Sequence, residues 1–130
     1  MPKAFCLLNH QLTQNQIKEL KEKFSVLEIV YPPEENSKLW FQIPATKTID
    51  RTIIKKITDW LSSAEAKDVL IVKGDFASTF IIVDFALKNG LIPVCTTTKH
   101  VAKESRQGKT VKQEYIFEHV CFRKYEYFEG

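Results

Sequence analysis

The stretch DVLIV (68–72) followed by KGDFAST (73–79) decides the fold. An almost wholly apolar run meets a glycine, an acid and two hydroxyl side chains, and the chain then resumes as the apolar segment FIIVDFALKNG (80–90). A short run without polar alternation suits a parallel strand covered on both faces. The polar segment after it reads as the turn from that strand into a helix over residues 77–88. Asn89-Gly90 then makes a left-handed helix end.

Three more runs share this character: AFCLL (4–8), VLEIV (26–30) and LIPVC (91–95). Helical patterns separate them. Residues 13–24 have Thr13 as N-cap and Gln16 three positions on, with Ile17, Leu20 and Phe24 on one stripe. The opposite face, rich in lysine and glutamate, reads as a solvated surface. Residues 48–62 put Ile49, Ile53, Ile57, Trp60 and Leu61 on one face. Residues 31–46, YPPEENSKLWFQIPAT, contain three prolines and read as a structured loop rather than a helix.

Alternating strands and helices predict an α/β fold: a mostly parallel, Rossmann-like sheet of order 2-1-3-4 with helices on both faces. Residues 96–105, a turn at Arg106-Gln107-Gly108-Lys109 and residues 110–128 predict an appended C-terminal β-hairpin. A chain of 130 residues is expected to be a single domain, 1–130.

The hydrophobic share of 44% and charged share of 27% are those of an ordinary soluble globular protein. No segment reaches the length of a membrane span, and MPKAFCLLNH lacks the features of a secretory leader. Cys6, Cys95 and Cys121 are odd in number and flanked by apolar residues. They read as buried free thiols in a reducing compartment, so the expected location is the cytoplasm. A net charge of +3 is too mild for duplex nucleic acid but compatible with a small polyanion in a basic pocket.

Ligands of open α/β sheets gather beyond the carboxyl ends of the strands, where the strand order reverses. In a 2-1-3-4 order that crevice lies between the tips Asn9-His10 and Gly74-Asp75, beside Thr96-Thr97-Thr98-Lys99. Gly74 allows close backbone approach or positive φ, the helix start offers free NH groups, and Ser78 and Thr79 add hydroxyls, all suited to phosphate. Equally, Gly74 makes the turn and Asp75 or Ser78 caps the helix. His10 reads as an acid, a base, a donor to phosphate or a strand-end cap. His100 and His119 fall in the hairpin with structural or surface roles, and Arg123 and Lys124 either reach the ligand or line an outward face. No G-x-G-x-x-G, P-loop, C-x-x-C or H-E-x-x-H is present, so neither a cofactor nor a metal is expected. The third helix is apolar nearly all round, which predicts a homodimer through it, with the ligand site at the twofold interface.

N-H-x-L-T (Asn9, His10, Leu12, Thr13), Y-P-P-E-E, L-W-x-x-I-P, G-D-F-x-x-T (Gly74, Asp75, Phe76, Thr79), G-L-I-P-V-x-T-T (90–97) and F-E-H-V-x-F-R-K-Y-E (117–126) occur in that order. In order and spacing they resemble a small family of CRISPR-associated ring nucleases of type III systems, of the CRISPR-associated Rossmann fold (CARF) type. The resemblance implies binding and cleavage of cyclic oligoadenylate, cyclic tetra-adenylate foremost, which switches off type III signalling. It also implies ligand-binding roles for Asn9, Gly74, Asp75, Phe76, Thr79, Thr96, Thr97, His119 and Arg123. Ala77 stands where the family pattern often has glycine, and Ser78 and Thr98 complete the two loops. The implied reaction is metal-independent attack of a ribose 2′-hydroxyl on the adjacent phosphodiester, giving a 2′,3′-cyclic phosphate. His10 is then the expected acid or base, and Lys99 or Lys73 stabilises the phosphorane. Phe76 stacks on adenine or anchors the helix. The competing expectation is a non-catalytic sensor or sponge for the same messenger.

Overall fold

The computed structural model describes residues 2–130; at 103, 105, 107 and 112–115 it describes the backbone alone. The chain runs β1 (Lys3–Leu7), α1 (Gln14–Phe24), β2 (Glu28–Val30), α2 (Glu34–Phe41), α3 (Arg51–Leu61), β3 (Val69–Val72), α4 (Phe76–Lys88), β4 (Ile92–Gln107) and β5 (Thr110–Lys124). One five-stranded sheet has the order β2-β1-β3-β4-β5. β1, β2, β3 and β4 pair in parallel, and β5 returns antiparallel to β4.

Both faces of the sheet are covered, which explains the lack of polar alternation in the strands. Ala4, Cys6, Val69, Ile71 and Val94 join Leu20 of α1 in one core layer. Phe5, Leu7, Leu70 and Val72 face the other way, toward Trp40, Ile57, Leu61 and Ile82 of α2, α3 and α4. Successive residues of β1 and β3 thus serve opposite layers, as the pleat requires. Buried Asp68 ties the layers together at the strand starts, accepting from Lys3 N and Glu65 N, each at 2.9 Å.

Local signals in the sequence account for most helix ends. Thr13 and Gln16 form the reciprocal capping box of α1. Asp50 caps α3, accepting from Thr52 N and Ile53 N, so that helix starts at Arg51 rather than near Thr48. Gly90, at φ +74°, follows the end of α4.

Two expectations are corrected. Residues 31–46 are not a loop throughout, because α2 occupies eight of them. Pro33 sets the entry, Glu34 and Glu35 suit the positive end of the helix dipole, and Lys38 pairs with Glu34 at 3.3 Å. Only Trp40 of this helix is buried, so it carries no apolar stripe to read. The hairpin, moreover, is not separate from the fourth strand. β4 runs unbroken through Gln107 and is itself one arm of the hairpin, turning at Gly108-Lys109 with Gly108 at φ +64°.

Candidate functional site

A cavity of about 580 Å³ lies at the carboxyl ends of β1 and β3, where the chain crosses from one side of β1 to the other. Leu8, Asn9 and His10 line it from the loop after β1, Thr13 and Gln16 from the start of α1, and Phe41 from the end of α2. Lys73 and Gly74 form its floor. The pairing of Ile71 with Val94 puts Thr96 level with Lys73, so the hairpin projects past β3 as a wall carrying Thr96, Thr98, Phe117 and His119. Of the described residues lining the cavity none is a carboxylate, whereas Lys73, His10 and His119 supply a cation and two imidazoles. Such a pocket favours an anion.

Gly74 has a cause other than positive φ. The Trp40 indole lies against it and donates from Nε1 to the Lys73 carbonyl at 3.0 Å. A Cβ at Gly74 would stand 2.7 Å from Nε1 and 2.9 Å from Cε2. Glycine is required so that the indole can close under the turn. Tyr125 braces the same turn, donating from Oη to the Val72 carbonyl at 3.2 Å.

The second half of KGDFAST does not face this cavity. Asp75 caps α4, accepting from Ser78 N at 3.0 Å, and this bond holds its carboxyl below the usual carboxylate range. Ser78 and Thr79 are buried, and Thr79 N is committed to the Asp75 carbonyl. The cap therefore occupies the Ser78 and Thr79 amides at the helix start. Phe76 is 95% exposed, so it does not anchor the helix. Ala77 is exposed beside it. Phe76, Thr79, Phe80, Val83, Leu87 and Tyr127 instead line a second, apolar cavity of about 530 Å³ on the outer side of α4.

The hairpin residues divide in the same way, and a bulge decides the division. Thr96 pairs with Phe122 and Thr98 with His119, so Val120 and Cys121 stand opposite Thr97 alone. The Thr97 hydroxyl fills the gap, donating to the Cys121 carbonyl at 2.7 Å and accepting from Cys121 N at 3.1 Å. It is thereby committed to the ladder. Lys99 pairs with Glu118 on the opposite face from Thr98 and His119, with Nζ 3.8 Å from Oε2. Arg123, opposite Cys95, does not line the cavity either.

The lysine- and glutamate-rich face of α1 was expected to be solvated throughout, but Glu19 is not. Its carboxylate reaches the bulge, with Oε1 2.7 Å from His119 Nε2 and Oε2 accepting from Phe122 N at 2.9 Å. A sign in the sequence is its position, three residues after Gln16 and one before Leu20, beside the buried stripe.

The three cysteines are free, but only Cys6 is buried, and burial pushes its thiol up to about 11. Among the described residues no three His, Cys, Asp or Glu side chains group as a metal site, and no helix is long and apolar enough to cross a membrane.

Among known proteins, the chain is 36% identical over 126 residues to "Uncharacterized protein MJ1673" of Methanocaldococcus jannaschii, covering 96% of this chain and 98% of that protein. No solved structure matches the chain. The profile of the family described as "Uncharacterized protein MJ1673 family" matches residues 2–123, which span β1 to the end of β5 save its last residue, and the chain belongs to that family.

Proposed function

We propose that the protein is a ring nuclease of CARF type that binds cyclic oligoadenylate, cyclic tetra-adenylate foremost, and opens the ring by 2′-hydroxyl attack. The observation that carries this reading is the cavity at the ends of β1 and β3, which combines Lys73, His10 and hydroxyl groups with Phe41 and Phe117 and has no carboxylate among the described residues that line it. Phosphates are matched by the cation and hydroxyls, and adenines by the aromatic rings. Lys73 is the residue proposed to offset charge on the phosphorane, while His10 protonates the departing 5′-oxygen. Lys99 has no part in this scheme, because it lies on the other face of the hairpin.

One cavity of this size holds part of a four-nucleotide ring, so the reading includes a homodimer that encloses the rest. Exposed Phe76 and Phe80 on α4, with Tyr127 and Phe128 beyond β5, are the apolar groups proposed to meet the second copy. Phe76 stands two residues from Gly74, so the dimer contact and the cavity share one turn.

Chromatography of labelled cyclic tri-, tetra- and hexa-adenylate after exposure to the protein tests the proposal. Conversion of the tetra-adenylate ring to linear products is expected. Tight binding with the ring left intact would replace the nuclease by a sensor or sponge, and no binding of any ring would discard both readings.

A further inference from the structure

Both side chains of the α1 capping box, Thr13 and Gln16, line the large cavity. Gln16 is only 4% exposed, although glutamine is mostly a surface residue. Its Oε1 accepts from Thr13 N at 2.9 Å, and Thr13 Oγ1 accepts from Gln16 N at 3.3 Å. An amide nitrogen cannot accept from a backbone N–H, so the Gln16 amide is held one way round, with Oε1 at the cap.

Nε2 brings two donors, and among the described residues nothing accepts from them. The fully buried side-chain polar atoms without a partner are Thr79 Oγ1 and His119 Nδ1, and Gln16 Nε2 is not one of them. It therefore keeps an open approach. Three cavities bear on this: the large one, the apolar one on the outer side of α4, and one of about 330 Å³ against α1. Gln16 lines the large one alone, so a ligand there has access to its NH₂.

The surroundings suit an anion. The first turn of α1 holds no acidic residue, so no carboxylate offsets the positive end of its dipole. Glutamate at residue 16 would complete the same capping box, but it would bring a carboxylate to a cavity whose described lining has none. Glutamine keeps the box and supplies two donors without charge. Reading adenine at two points needs an acceptor beside the donor, and here the acceptor is committed to Thr13 N; a phosphate oxygen needs donors only.

We infer that Gln16 Nε2 and the Thr13 hydroxyl, at the start of α1, form a phosphate subsite that takes the nonbridging oxygens of one phosphodiester of the ring. This rests on the cyclic oligoadenylate reading and extends it by a binding residue that takes no part in breaking the bond. Thr13 Oγ1 accepts from Gln16 N with one lone pair and still has its hydrogen to donate to the same phosphate. The helix start that receives phosphate is thus that of α1 rather than that of α4, whose Ser78 and Thr79 amides are occupied.

Gln16→Glu separates binding from folding, because glutamate retains the acceptor for Thr13 N. Its urea midpoint should stay close to that of the wild type. Its Kd for cyclic tetra-adenylate, by calorimetry, should rise about tenfold or more, the size expected when hydrogen bonds to a charged group are lost. The loss should fall on affinity more than on the single-turnover rate at saturating ring.

The side-chain NH₂ resonances of Gln16 in the wild-type protein give a result independent of any variant. Cyclic tetra-adenylate and inorganic phosphate should each shift them, and adenosine, which has no phosphate, should not. A shift with inorganic phosphate but none with the ring would assign the site to free phosphate and overturn its place in ring binding. A shift with adenosine and none with phosphate, or wild-type affinity in a folded Gln16→Glu, would overturn the subsite while leaving the nuclease reading standing. A ring that binds, shifts these resonances and stays intact would support the subsite and remove the nuclease.

Discussion

The turn that links β3 to α4 joins two unlike surfaces. On one side, Lys73 and Gly74 open on a cavity lined by hydroxyls, imidazoles and a lysine. On the other, Phe76 and Phe80 line an apolar groove in which two carboxylates, Asp84 and Glu126, sit beside aromatic rings from α4 and the C-terminal segment. Between them Asp75 folds back to cap the helix. The difference shows that one polar heptapeptide can face two ways: Lys73 and Gly74 line the polar cavity, and Phe76 and Thr79 line the apolar one.

The polar side depends on Trp40, so Trp40→Ala should have the largest effect on stability. Removing a fully buried aromatic costs about 3–5 kcal/mol, and urea titration should show a loss of that size, with the Lys73 carbonyl losing its donor. Gly74→Ala places a methyl against the same indole and should cost about 1–3 kcal/mol as an overpacking change. An unchanged midpoint for Gly74→Ala would mean that the indole can move away and that glycine has some other cause there.

The apolar side should respond in the opposite manner. Phe76 and Phe80 are 95% and 74% exposed, so Phe76→Ser with Phe80→Ser should leave monomer stability within about 0.5 kcal/mol of wild type. Sedimentation should nevertheless show the double variant as a monomer where the wild type is a dimer. A monomeric wild type would separate the two surfaces and remove the dimer from the account.

The boundary residue should give the smallest effect. The Asp75 carboxyl is held low by the Ser78 amide, so its contribution is present above the unfolded value near 3.8 and is lost as pH falls through the lower folded value. Asp75→Asn should therefore be slightly less stable than wild type at pH 6, with the gap narrowing toward pH 3, as compared by urea midpoints. A gap that does not change with pH would assign the cap to shape rather than charge.

Much of this arrangement was legible in the sequence. The apolar runs identify strands covered on both faces, and Thr13 and Gln16 give the capping box; of the expected tips Asn9-His10 and Gly74-Asp75, Asn9, His10 and Gly74 line one cavity and Asp75 does not. Features that depend on a single residue or on a break in periodicity were not legible. α2 hides because only Trp40 is buried. The assignment of hairpin residues fails at the bulge, where two residues of β5 oppose one of β4, so Phe122 shares a face with His119 although alternation puts them on opposite faces. The position of Glu19 beside the buried stripe is visible in the sequence, but its partners are not, because the bulge brings the amide and the imidazole to it.

The central claim is that the cavity beside Lys73 opens a cyclic oligoadenylate by attack of its own ribose. Mass analysis of the products from one turnover of cyclic tetra-adenylate, with the chelator EDTA present, tests it most directly. The account predicts linear adenylates ending in a 2′,3′-cyclic phosphate. An intact ring, or cleavage that stops when EDTA is added, would contradict it.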